Sequence, residues 1–271
     1  MELWSPIYMV VPELVDGCNM SCALCWNSTR KGSMKNMSVG TITKIIEKHG
    51  HVLGCWYNWG EPTLHKQFVE VSEIIKKQVQ SFISTNLSLP LSDAYLKALL
   101  NYTRVYVSVS GITKEVYAIY NKGGNFDLVF SNLAKLLQLK KDTNSNCIII
   151  LRFEKHPLNG HQYEEVLKFC NENKILFEPI NLSCEVERNM VGFTNELLRT
   201  PQFNTDQLSC ALSTQFPIDV DGNYLVCCAS RNVKLNYTVY DDVTMEQLIE
   251  DRDNNEFCIN CREKGLFKAY F

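Results

Sequence analysis

Six apolar or β-branched runs recur along the first two thirds of the chain, each followed by a helical or loop segment. This alternation limits the fold more than any other feature. IYMVVPELV (7–15), HVLGCWYN (51–58), SFIST (81–85), RVYVSVS (104–110), NCIIILRF (146–153) and KILFEPI (174–180) read as strands. Pro12 marks a strand end or an irregularity inside the first. Between the runs, apolar residues return at helical spacing. Ser38 caps a helix to about His49, and Phe68, Val71, Ile74 and Ile75 line one face of 65–79. LSDAYLKALLN, DLVFSNLAKLLQLKK (127–141) and QYEEVLKFCNEN also read as helices. Strands alternating with helices build a parallel sheet. Six units fall short of the eight that close a full barrel. The expected fold is therefore α/β, a partial (β/α)6 TIM-like barrel over residues 1–181, although a doubly wound sheet satisfies the same pattern. After Asn181 the alternation stops. Residues 182–271 are expected to form a linker and a small C-terminal unit, with a hairpin in FPIDVDGNYLVCC (216–228) turning at Asp221-Gly222 and a short helix at 244–252.

Charge excludes some functions. A net charge of -3 and no basic cluster give no footprint for nucleic acid. Residues 1–16 hold Glu2, two prolines and no basic residue, so they do not resemble a signal peptide. No apolar run approaches the roughly 20 residues that span a bilayer. The expectation is a soluble cytoplasmic protein, without a membrane or nucleic-acid partner. Twelve cysteines are then the anomaly. In a reducing compartment they suit metal binding or catalysis better than disulfides.

Three of them, Cys18-x3-Cys22-x2-Cys25, crowd into one loop after the first strand. A structural zinc site closes with four protein ligands, whereas iron–sulfur clusters are held by cysteine thiolates. Three thiolates on a 4Fe-4S cube leave one iron open. This spacing resembles the radical S-adenosylmethionine (SAM) superfamily. Gly60-Glu61-Pro62 after the second strand resembles that family's GGEP motif, with Trp59 in place of the first glycine. Ser84-Thr85-Asn86 ends the third strand as family members often do, and Ser108 to Gly111 ends the fourth. The resemblance covers about 7–180. It implies a SAM-binding 4Fe-4S cluster on Cys18, Cys22 and Cys25, with the methionine amino group bound by the Gly60-Glu61-Pro62 motif. Asn86, Ser108 and Ser110 are placed at the cofactor, and Arg152 at its carboxylate. Adenine is usually met by an aromatic residue just before the third cysteine; here Leu24 stands there, with Trp26 just after. Glu13, Asp16 and Tyr57 lie near the same strand ends without a motif.

Cys210, Gly222, Cys227 and Cys258-x2-Cys261 resemble the arrangement of SPASM and twitch domains in its short form, which implies one auxiliary 4Fe-4S cluster. Cys228, beside Cys227, is an alternative ligand, and a four-cysteine zinc knuckle also fits the spacing. The resemblance implies an enzyme that cleaves SAM reductively to a 5′-deoxyadenosyl radical and abstracts hydrogen from a substrate carbon. The expected outcome is oxidation, dehydrogenation or peptide modification. An alternative is epimerisation of a sugar or peptide residue, with Cys55, Cys184 or Cys228 as hydrogen donor. A zinc-binding interaction protein is the remote alternative. Seventeen residues ahead of Cys18 leave no space for a leader-binding domain, which favours a small-molecule substrate or a peptide captured without one. The reductant would be a flavodoxin or ferredoxin.

Overall fold

The computed structural model of the protein describes residues 8–23, 25, 33–181, 210–228 and 230–263. The chain enters on β1 (Met9–Pro12), which ends at its proline. A two-stranded antiparallel ribbon, β2 (Val15–Asp16) with β3 (Lys35–Asn36), then closes the base of the cysteine loop. Next come β4 (Leu53–Cys55), β5 (Gln80–Thr85), β6 (Arg104–Ser108), β7 (Ile148–Lys155) and β8 (Leu176–Asn181). β1 and β4 to β8 pair in parallel, in chain order. These are the six strands that the alternation predicts.

The connecting helices are α1 (Val39–His49), α2 (Phe68–Ile75), α3 (Asp93–Leu99), α4 (Lys114–Tyr120), α5 (Phe126–Asp142) and α6 (Tyr163–Glu172). Ser38 caps α1 as expected, accepting the Thr41 N–H at 3.0 Å. The helix expected over 65–79 is shorter, because Pro62–Leu64 forms a 3-10 turn first. Helix α4, absent from the sequence reading, is capped by Thr113 and buries Tyr117 and Tyr120.

Strand register sorts the side chains onto two faces. Ile83, Val105, Val107, Leu151 and Phe153 are fully buried, sharing one core with Phe68, Val71, Leu99, Leu133 and Leu136 of the helices. Each such side chain stabilises the fold by about 2 kcal/mol. The other face carries Cys55 beside Phe82, Ser84 beside Tyr106, and Ser108, Arg152 and Glu178 in one row. A row so rich in polar groups belongs to a lumen.

The C-terminal segment differs from the sequence reading in one respect. The expected hairpin is present, as β9 (Gln215–Ile218) and β10 (Asn223–Cys227), continued by β11 (Ser230–Thr238). Gly222 turns it at φ +87°, a left-handed conformation that favours glycine. Yet β9 pairs in parallel with β1, so the hairpin extends the barrel sheet, in the order β11-β10-β9-β1-β4-β5-β6-β7-β8. His49 Nε2 and Tyr224 Oη, 2.6 Å apart, fasten it to α1. Two helices follow, α7 (Met245–Asp253), with a Thr244–Gln247 capping box, and α8 (Glu256–Glu263). Among the described residues no helix is long and apolar enough to cross a membrane.

Candidate active site

The cysteine loop lies over the C-terminal ends of the parallel strands, where αβ barrels place their chemistry. Its backbone is tied to the C-terminal end of α4 and the residues just after it: Ala23 N–H donates to Tyr120 O and Ser21 N–H to Lys122 O, both at 2.9 Å. Its sulfurs meet N–H donors. Met20 N–H lies 3.4 Å from Cys18 Sγ, Asn86 Nδ2 3.6 Å from it, and Asn121 Nδ2 4.0 Å from Cys22 Sγ. Asn86 also donates to Asn19 Oδ1, and Asn19 to Ser88 O, so the end of β5 holds the loop from one side.

Burial, then the charge of Glu61, pushes the Cys18 thiol up to about 12. Burial, then Cys25, Glu154 and Cys18, raises Cys22 as well. These groups become thiolates only if a cation joins them, and a bound metal deprotonates a thiol outright. Among the described residues no three His, Cys, Asp or Glu side chains gather around one point as a lone metal ion requires. A four-iron cube makes a different demand, since it spreads its thiolates over separate irons. Three thiols on one loop, two of them faced by N–H donors, fit such a cube.

Beside the loop, the Trp59-Gly60-Glu61-Pro62 turn is gripped by Glu13, at the end of β1. Its carboxylate accepts the Trp59 and Gly60 N–H groups, both at 2.8 Å, while Glu61 N–H donates to Gly17 O at 2.8 Å. Gly60 has no alternative here: a Cβ would lie 1.9 Å from Val15 O. Burial pushes the Glu13 carboxyl up to about 7, against the lowering by those two amides and by Arg231. Arg231, on β11, pairs with Asp16 at 2.7 Å and stacks 4.7 Å over the Trp59 ring. The tryptophan that replaces glycine thus joins the motif to the C-terminal hairpin.

Glu61 is 2% exposed and occupied by its own chain. Its carboxylate accepts from Thr63 N–H and Oγ1, Thr85 Oγ1 and Asn86 N–H, between 2.6 and 3.1 Å. It therefore ties its turn to the end of β5. The expected Arg152 lies in the lumen, bonded to Glu178 and, at 3.1 Å, to Tyr57 Oη, with its guanidinium 4.1 Å over Tyr106. Ser108 meets Ser84 at 3.2 Å, whereas Ser110 is fully buried and donates to Glu154 at 3.3 Å. Glu154, which the sequence reading missed, is raised by burial and bonded to Tyr120. Its signal was present: it sits two residues beyond Arg152, on the same face of β7. Leu24, Trp26 and Cys184 lie outside the described residues.

The second cysteine set is spread over three elements. Cys210 precedes the 3-10 turn Ala211–Thr214, Cys227 ends β10, and Cys258 and Cys261 lie on α8. Cys258 is raised by burial and feels the charge of Cys210. Cys228 points elsewhere. It is raised by burial and by Cys227, Cys55 and Glu13, and its thiol bonds Gln215 Oε1 at 3.3 Å. Cys55, pushed up to about 11 by burial, shares a hydrogen bond with Tyr57.

The chain is similar in structure to anSMEcpe with bound AdoMet (18% identity, 96% of this chain and 84% of that one, TM-score 0.65). It is similar also to anSMEcpe with bound AdoMet and Cp18Cys peptide (16%, 97% and 84%, TM-score 0.63). BtrN in complex with AdoMet and 2-DOIA superposes more loosely (17%, 98% and 89%, TM-score 0.51). At these identities the likeness is one of fold. No curated relative matches the sequence. The family description that matches is the Radical SAM superfamily, over residues 13–174. That match spans more than half of the chain and contains the three-cysteine loop, the Glu13-bound turn and the ends of β4 to β7; the protein belongs to the radical SAM superfamily.

Proposed function

We propose that the protein is a radical SAM enzyme with a twitch-like C-terminal region, acting as an oxidoreductase on a small molecule or a peptide. The observation that carries this reading is the cysteine loop itself, whose thiols are faced by amide donors beside a turn held by Glu13. Cys18, Cys22 and Cys25 would hold a 4Fe-4S cluster, and the turn at Trp59 to Pro62 would receive the amino-acid end of SAM. Cys210, Cys227, Cys258 and Cys261 would hold an auxiliary cluster. These groups, when bound, would supply a 5′-deoxyadenosyl radical able to take hydrogen from a substrate carbon and an acceptor for the electron left behind. The chain's own residues do the rest. Glu13 and Gly60 shape the turn, Glu61 and Asn86 lock it to β5, and Arg152, Tyr57 and Glu178 orient the substrate in the lumen. Neighbours of this fold hold a Cp18Cys peptide in one case and 2-DOIA in another, which supports leaving both substrate classes open.

Cys228 and Cys55 favour a second reading. Cys55 is buried and Cys228 half-buried, close to each other and to Glu13, with Cys55 on the lumen face, where a thiol returning hydrogen to a substrate radical would give an epimerase. Anaerobically reconstituted protein decides. Oxidation predicts 5′-deoxyadenosine together with a two-dalton mass loss from the substrate. Epimerisation predicts solvent deuterium in the product and no mass loss in light water. Protein with a full iron complement that neither binds SAM nor forms 5′-deoxyadenosine overturns both.

A further inference from the structure

One polar atom is left over at the C-terminal end of β7. His156 directly follows that strand and is 3% exposed. Its Nδ1 accepts the Leu158 N–H at 3.2 Å, which leaves the ring proton on Nε2. The residue is held firmly. Its main-chain N–H donates to Asn159 Oδ1 at 2.8 Å, and Asn159 Nδ2 donates to Glu154 O at 2.8 Å and Ser110 O at 2.9 Å. The Nε2–H so fixed is buried and has no hydrogen-bond partner among the described residues. Native folds keep few such atoms, and each is a place where a ligand or water brings the missing acceptor. Two others, Asn58 Nδ2 and Arg104 Nε, are weaker pointers. Asn58 is only half-buried, and Arg104 lies over the Phe82 ring at 4.8 Å.

The surroundings of His156 say what kind of acceptor fits. Its ring lies 6.4 Å from that of Tyr120, tilted by 31°. Tyr120 bonds Glu154 through its side chain and accepts the Ala23 N–H of the cysteine loop on its carbonyl. The leftover donor therefore stands at the corner where the cysteine loop meets β7, beside an aromatic face. Burial lowers the imidazole's affinity for a proton and keeps it neutral. A neutral donor beside an aromatic ring suits a flat, uncharged acceptor. SAM has one such part. Its amino-acid end is charged and its ribose presents hydroxyls, whereas adenine is a planar ring with bare nitrogens.

We propose that His156 donates its Nε2–H to a ring nitrogen of the SAM adenine, with the Tyr120 ring flanking the base. The assignment rests on the SAM site proposed above and adds to it a residue that reads the base. It is a binding residue, remote from the bond that breaks.

The test is calorimetric binding of S-adenosylhomocysteine, which is not cleaved, to anaerobic cluster-loaded protein. It is repeated with the 1-deaza, 3-deaza and 7-deaza analogues, each replacing one ring nitrogen by CH. The wild-type protein should lose about tenfold in affinity for one analogue, as expected for one hydrogen bond. His156→Phe should bind the parent compound about tenfold more weakly and be indifferent to that same replacement. His156→Gln, with an amide N–H in a similar place, should recover most of the loss. Equal wild-type affinity for all four compounds overturns the assignment without any variant having to fold. So does a His156→Phe protein that binds like wild type, or one in which only the affinity for substrate changes. If the wild type binds none of the four, the SAM site itself falls, and this assignment with it.

Discussion

The two cysteine sets are built by opposite means. The first is packed into one loop, pinned at its base by the β2–β3 ribbon and met from above by Asn86 and Asn121. The second is gathered from a turn, a strand end and a helix, with Arg252 of α7 holding the turn through Ser213 O. In the first, local sequence sets the spacing and the sheet supplies the donors. In the second, spacing depends on how the hairpin and α7–α8 pack. A site made by one loop should tolerate damage elsewhere, and a site made by packing should not.

The sharpest test exchanges one thiol from each set. Cys22→Ala should abolish 5′-deoxyadenosine formation and remove one cluster's share of iron. Cys258→Ala should remove the other share and leave SAM cleavage measurable without substrate turnover. Loss of SAM cleavage in both variants would break the comparison.

Glycines give the next contrast. Gly60→Ala drives a methyl group into Val15 O and Gly17 O, 1.9 and 2.7 Å from its position. It should cost about 3 kcal/mol of stability and weaken SAM binding, as read by denaturation and calorimetry. Gly222→Ala, which strains the hairpin turn and presses on Thr41 and Val239 at 3.1 Å, should cost about 1–2 kcal/mol and leave SAM binding intact.

Glu13 links the two regions and has a pH signature. Arg231, Asp16 and Cys228 face it, along with the Trp59 and Gly60 amides. Its carboxyl titrates near 4.5 when unfolded and at about 7 when folded. Between those values the unfolded chain has released a proton that the native chain keeps, so stability falls as pH rises through this window. Chemical denaturation of the cluster-free protein should show a decline of about 3 kcal/mol across it, and Glu13→Gln should flatten the decline.

The smallest expected effect is at Asn86. Asn86→Ala removes a donor to Cys18 Sγ and another to Asn19. It should cost about 1 kcal/mol and shift the reduction potential of the first cluster while leaving the second unchanged, since hydrogen bonds to sulfur tune such potentials.

What the sequence disclosed follows from how local each signal is. Runs such as RVYVSVS and NCIIILRF announce strands because the β-branched, apolar pattern that marks a buried strand lies within the run itself. The Cys18 loop is legible for the same reason, its three thiols lying within eight residues. The grip of Glu13 on the turn is not, because its partners are 46 and 47 residues away and a single carboxylate carries no pattern. Arg231 is more remote still, 215 residues from Asp16. Arg152 is expected at the cofactor carboxylate, but its immediate partners are Glu178, on the adjacent β8, and Tyr57, just past β4 on the far side of β5 and β6, and no local motif connects them. Helix α4 escaped, although the equally short α3 did not, because its buried positions are Tyr117 and Tyr120, aromatic residues that suit a strand as well.

The pairing of β1 with β9 carries a consequence for biosynthesis. The first strand finds one of its two neighbours roughly 200 residues downstream, a separation that slows closure of any sheet. While the ribosome is still producing the barrel, Met9–Pro12 has an uncovered edge and Arg231 does not yet exist to pair with Asp16. The base of the cysteine loop therefore gains its Asp16–Arg231 ion pair only once the last strands have been made.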